Sequence, residues 1–126
     1  MTYSLGIRSR QNLSGVHPDL VSVVELAIKI TKQDFVVIEG IRSLSRQKQL
    51  VKEGKSKTLN SRHLTGHAVD ICPYPVDWSD LEKFKAINDA MDQASKELGI
   101  STEWGGDWKN AWDKPHYQLP FKEYPK

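Results

Sequence analysis

Between Pro18 and Gln33, apolar residues recur at helical spacing: Leu20, Val23, Val24, Ala27, Ile28 and Ile30. This predicts a core helix, with Pro18 tolerated in its first turn. The pattern then changes. Phe35-Val36-Val37-Ile38-Glu39 is short, rich in β-branched residues and ended by Gly40, which predicts a strand. Ser45 to Glu53 predicts a second helix, opened by a serine cap and closed by Gly54. Lys55 to Arg62 is a polar, basic loop whose charge is expected to be solvated. In the strand expected from Ala68 to Cys72, alternation places Ala68, Asp70 and Cys72 on one face and Val69 and Ile71 on the other. Pro73-Tyr74-Pro75 interrupts regular structure. Ser79 to Leu98 then predicts a long amphipathic helix, with Ser79 and Glu82 forming a capping box and Gly99 stopping it. Its buried stripe runs through Leu81, Phe84, Ile87, Met91, Ala94 and Leu98. Ile100 to Trp104 and His116 to Leu119 read as short strands. The order of elements predicts a small α+β domain with helices packed against a mainly antiparallel sheet.

At 126 residues the chain fits one domain, 1–126, with one core and no separate binding module beside it. Eighteen basic residues against 16 acidic ones leave a net charge of +2, too weak a field to argue for nucleic acid. The single cysteine, Cys72, cannot close an internal disulfide, which suits synthesis in a reducing cytoplasm. Met1 to Asn12 is polar and lacks an apolar run of signal-peptide length, and no stretch is apolar enough to insert stably into a membrane.

The chemistry concentrates in two places, Ser61-Arg62-His63-Leu64-Thr65-Gly66-His67-Ala68-Val69-Asp70 and Asp113-Lys114-Pro115-His116. His63, Asp70 and His116 supply two imidazoles and a carboxylate, the ligand set of a catalytic zinc that keeps a fourth position for water. In Asp113-Lys114-Pro115-His116 the proline fixes its own φ and biases Lys114 toward an extended conformation, stiffening the arm between a candidate base, Asp113, and a ligand. Ordinary structural histidines at 63 and 116 are the competing reading.

These segments have the forms Ser-x-His-x6-Asp and Asp-x-x-His. With Glu103-Trp104-Gly105-Gly106-Asp107-Trp108 they resemble the D-alanyl-D-alanine carboxypeptidase family of zinc peptidases, most closely its L-alanyl-D-glutamate endopeptidase branch of bacteriophage endolysins. The resemblance covers nearly the whole chain. Gly15 to Leu20 resembles that branch's approach to its first helix. Glu39-Gly40-Ile41-Arg42-Ser43, with Gln47 and Gln49, resembles its substrate-side segment. The resemblance implies Zn2+ held by His63, Asp70 and His116, a catalytic carboxylate at Asp113, and substrate contacts from Arg42, Ser61 and Gln49. It further implies cleavage of the bond between L-alanine and D-glutamate in the peptidoglycan stem peptide during host lysis. The protein would be a monomer made in the host cytoplasm, released through a pore formed by a separate holin, and active in the periplasm. Dipeptidase members of the wider family carry Glu where this chain has Asp113, whereas the endolysin branch resembles it in using Asp.

Other residues compete for these roles. His67 follows His63 by four, but Gly66 disfavours a helix and no glutamate follows His63 as in zincins. Cys72 shares the Asp70 face and reads more simply as core. His17, ahead of Pro18, suits local capping. Glu103 is the rival base, Asp107 could hold a ligand imidazole through its other nitrogen, and Trp104 and Trp108 suit packing near the ligands. Two other functions stay open: a D-alanyl-D-alanine carboxypeptidase, and a zinc-bearing binding module without hydrolysis.

Overall fold

The computed structural model describes residues 2–56, 58–59, 61–108 and 113–125. Among them are helices α1 (Ile7–Leu13), α2 (Pro18–Ile30), α3 (Leu44–Lys52) and α4 (Leu81–Leu98). The strands are β1 (Phe35–Glu39), β2 (Ala68–Pro73), β3 (Glu103–Trp104) and β4 (His116–Gln118), and 3-10 turns cover Arg62–Thr65 and Gly105–Asp107. The strands form one antiparallel sheet in the order β1-β2-β4-β3. This is the α+β arrangement predicted by the pattern. Lys57 and Asn60, in the predicted basic loop, lie outside the described residues.

The core follows from the two amphipathic helices. Leu20, Val23, Val24 and Ala27 of α2 and Phe84, Ile87, Met91 and Ala94 of α4 are buried with Phe35, Val37, Val69, Ile71 and Tyr117 of the sheet. Cys72 is buried here too, as expected for a small apolar thiol. Each fully buried aliphatic or aromatic side chain contributes about 1.5–3 kcal/mol by leaving water.

Helix α1 has no counterpart in the pattern reading, because its sequence is mostly polar. It forms where the sheet needs it. β1 is an edge strand, and Ser9 and Asn12 of α1 reach it: Val37 donates its N–H to Ser9 Oγ (3.0 Å) and Asn12 Nδ2 donates to the Val37 carbonyl (2.8 Å). An edge that would otherwise be open is thus covered. Gly40 makes the close approach possible, since a Cβ there would stand 1.9 Å from the Asn12 carbonyl oxygen.

Several predicted boundaries shift for identifiable reasons. Ser43, not Ser45, caps α3 by accepting from Arg46 N–H (3.1 Å). Asp80 caps α4, accepting from the N–H groups of Glu82 (3.1 Å) and Lys83 (3.3 Å). Ser79 instead donates to Asp77 (2.8 Å), so the expected capping box does not form. His17 does cap α2, its Nδ1 accepting from Asp19 N–H (3.1 Å).

Arg62 overturns the expectation of a solvated loop. It is 2% exposed and its guanidinium donates to the carbonyls of Leu119 (2.7 Å) and Tyr124 (2.7 Å), with the Phe121 ring 4.0 Å away. The residue next to His63 therefore fastens the C-terminal segment to the 3-10 turn.

The Asp80 cap yields a measurable difference. Asp80→Ala is expected to lower unfolding free energy by about 1 kcal/mol in urea denaturation, and Ser79→Ala by less than half of that. Equal losses would mean that both side chains cap the helix.

Candidate active site

The sheet register assembles the site. His116 on β4 pairs with Asp70 on β2, and Asp70 pairs in turn with Glu39 on β1. A regular ladder after the Val37–Ile71 pair would have put Ile38 opposite Asp70. A bulge between Val37 and Glu39 substitutes the acid. Three chemically active side chains thus lie in a row across neighbouring strands.

His63 arrives from the 3-10 turn, whose leading Ser61 accepts from His63 N–H (3.2 Å). His63 Nε2 lies 3.2 Å and His116 Nδ1 3.4 Å from Asp70 Oδ1. One ligand atom from each of the three residues falls within 4.8 Å of the other two, a group able to hold a metal ion. The remaining nitrogen of each ring is also engaged. His63 Nδ1 is 2.8 Å from the Gly40 carbonyl, which can only accept, so Nδ1 carries the proton and Nε2 presents a lone pair to the site. His116 Nε2 is 2.7 Å from Gln118 Oε1, and Gln118 Nε2 donates to Glu103 (2.9 Å). The donor set and these outer contacts fit a catalytic metal.

Electrostatics agree with that fit. Burial alone would push the Asp70 carboxyl upward, but hydrogen bonds and charge from His116 and His63 hold it well below the usual carboxylate range. Burial opposes protonation of His116, yet the Asp70 carboxylate raises its affinity for a proton above the ordinary histidine value. Two lone-pair nitrogens and a carboxylate facing one another require positive charge between them. A proton or a metal ion meets that need.

Asp113 stands beside this group. His116 N–H donates to the Asp113 carbonyl (3.1 Å), closing a tight turn that brings the carboxylate to 3.9 Å from His116 Nδ1. The turn packs against Gly105, where a Cβ would lie 2.0 Å from the Asp113 carbonyl oxygen. Burial raises the Asp113 carboxyl, with His116 pulling down and Asp70 pushing further up.

Arg42 lies on the other side, its N–H donating to the His63 carbonyl (3.0 Å) and its guanidinium 3.7 Å from Asp70 Oδ2. It is braced by Glu39 and by Gln47, whose Oε1 accepts from it at 2.7 Å. Gln47 is fully buried and also donates to Ser56 Oγ (2.8 Å) and the Thr58 carbonyl (2.6 Å). This glutamine, quoted in the sequence only as part of a motif, is what joins α3, the following loop and Arg42. Its position on the buried face of an otherwise polar helix was the available signal. Gln49, expected to contact substrate, bonds to Glu53 on the exposed face of α3 and is not among the residues that line the cleft.

A cleft of about 500 Å³ opens over the group. Glu39, Asp70 and Asp113 line it together with the cations Arg42, Arg46, Lys55 and Arg62. Ser61 and Trp108 also face it, and the Trp108 ring lies 5.2 Å from that of His116. Trp104 instead packs on Tyr117 and donates to the Lys114 carbonyl (2.6 Å). His67 turns away, bonding Thr65 (2.6 Å) and facing His17 at 5.5 Å. Asp107 is exposed, and Gln118 occupies the position against His116 that had been considered for it.

The family model described as phage L-alanyl-D-glutamate peptidase matches residues 1–119. The L-alanyl-D-glutamate peptidase of Escherichia phage T5 is 37% identical over 119 residues, covering 90% of this chain and 87% of that protein. The peptidoglycan L-alanyl-D-glutamate endopeptidase CwlK of Bacillus subtilis is 35% identical over 103 residues, 68% of this chain and 60% of that protein. The crystal structure of the L-Ala D-Glu endopeptidase ChiX of Serratia marcescens superposes with a TM-score of 0.93 at 47% identity, covering 99% of this chain and 96% of that one.

Metal titration is expected to find one ion per chain, lost in His63→Ala, Asp70→Ala and His116→Ala because two protein ligands compete poorly with water. His67→Ala should bind normally. Full occupancy in His116→Ala would remove that residue from the ligand set.

Proposed function

The chain belongs to the phage L-alanyl-D-glutamate peptidase family, and from that premise we propose that it is a zinc endopeptidase cleaving the L-alanyl-D-glutamate bond of the peptidoglycan stem during host lysis. The observation that carries the reading is the convergence of His63, Asp70 and His116 with Asp113 beside them on the floor of an open cleft. The ligand set of two imidazoles and one carboxylate suits zinc, with a further position left for water.

When bound there, zinc would supply Lewis acidity toward a water molecule and an amide carbonyl. The other work falls to the chain. Asp113 takes a proton from the attacking water and passes it to the departing amine; its raised proton affinity suits a group that must do both. Arg42, held rigid by Glu39 and Gln47, presents positive charge at the edge of the site, where negative charge develops on the carbonyl oxygen. Ser61 lines the cleft while fixing the turn that bears His63. The cations Arg46 and Lys55 that line the cleft suit a stem peptide rich in carboxylates. The substrate is reached from the periplasmic side as a monomer, after holin-dependent release.

Digestion of purified muropeptides tests the bond directly. Mass spectrometry should show fragments beginning at D-glutamate, with a chelator abolishing them. Release of terminal D-alanine instead would make the protein a carboxypeptidase, and zinc binding without any cleavage would make it a binding module.

Asp113→Asn preserves shape but cannot accept a proton, so it should keep its zinc while losing roughly two to four orders of magnitude in kcat. The base works only when deprotonated, so activity falls as pH drops through its pKa. Near-normal turnover in Asp113→Asn would assign the base elsewhere.

A further inference from the structure

We propose that Glu103 is a positioning residue: it fixes which way round the Gln118 amide lies and, through that amide, which nitrogen of His116 is left bare toward Asp70. The inference rests on reading His116 as a metal ligand. It follows from what each group can donate. A carboxylate only accepts, a glutamine amide donates from one end and accepts at the other, and a neutral imidazole has one N–H. Glu103 Oε1 lies 2.9 Å from Gln118 Nε2, so the donating end of the amide is committed to Glu103. Gln118 Oε1 then faces His116 Nε2 at 2.7 Å and requires a proton there. Asp70 Oδ1 accepts as well, but it stands farther off, 3.4 Å from Nδ1, so the single proton of the neutral ring goes to the shorter contact and Nδ1 keeps its lone pair.

With the amide turned round, its NH2 would face Nε2, and the proton would move to Nδ1, pointing at the metal position. His63 has no such ambiguity, because its partner is the Gly40 backbone carbonyl, whose polarity cannot reverse. The two ligand histidines therefore need different supports. The fold provides the second with β3, only two residues long, which sets Glu103 directly opposite Gln118. Gln118 is two residues beyond His116 on β4, so both side chains lie on one face. Glu103 itself is exposed and reaches the site only through this amide, which separates its role from that of a base.

The test compares wild type, Glu103→Gln, Gln118→Glu and the double variant. Two readouts are taken: imidazole tautomers by 15N NMR on metal-free protein, at a pH where both ligand histidines are neutral, and zinc affinity by chelator competition. Wild type should hold His116 in the Nε2–H form. Glu103→Gln can donate as well as accept, so both His116 forms should appear and zinc affinity should fall about tenfold, the lower end for outer-shell partners of a ligand. In the Gln118→Glu background a carboxylate accepts from Nε2 whichever group stands at position 103, so adding Glu103→Gln should leave His116 in the Nε2–H form. An unaltered tautomer in Glu103→Gln, or an equal loss of the Nε2–H form in both backgrounds, would overturn the proposal. If wild type binds no zinc, the metal reading falls, while the NMR comparison still decides the role of Glu103.

Discussion

The site is organised around a mutual repulsion. His63 Nε2, His116 Nδ1 and the carboxylate of Asp70 point at one another across 3.2 and 3.4 Å, all three as electron-pair donors. Packed at the base of a cleft, such an arrangement is unfavourable unless something positive lies between the groups. The Asp70 carboxylate raises the proton affinity of His116 despite burial, so that imidazole can take up a second proton, on Nδ1, that meets the need. A metal ion takes over the same electrostatic task, and binding it releases the proton. The sheet register and the turn contacts bring the three groups together, and the charge between them decides whether they attract.

Holding three mutually repelling groups in place takes outer contacts, and the fold distributes them across several elements. The Gly40 carbonyl, placed by the close approach of α1, fixes His63. Gln118 on β4 and Glu103 on β3 hold His116 through its Nε2. Arg42 reaches Asp70 from the third side, with Gln47 and Glu39 preventing it from swinging away. Arg62 ties the His63 turn to the C-terminal segment through the Leu119 and Tyr124 carbonyls. A displacement at any of these supports moves a ligand, so residues without contact to the metal position govern its affinity.

The cleft mixes charges: Glu39, Asp70 and Asp113 line it, and so do Arg42, Arg46, Lys55 and Arg62. Among them Asp113 stands beside His116, half-buried. Burial gives that carboxyl the raised proton affinity that a proton-shuttling group uses.

What the sequence by itself determined is whatever depends on near neighbours. The apolar periodicity of α2 and α4, the β-branched run of β1 and the His17 cap are local, and they appear where the spacing placed them except that Leu81 and Leu98, the ends of the expected α4 stripe, are exposed. The ligand residues were also legible, because their types and order resemble those of a known family. Tertiary structure decided everything that depends on distant partners. Helix α1 is polar and forms against the edge of β1. Arg62, one cation among several in a basic segment, is buried because two carbonyls from the C-terminal segment reach it. Gln47 and Gln49 are alike in sequence, yet the turn of α3 buries one and exposes the other. Gln118 and Glu103 acquire meaning only when β3 pairs with β4. Hydrogen-bond partners separated by many residues leave no periodicity in a single chain, so their chemistry becomes visible only when the fold brings them within reach.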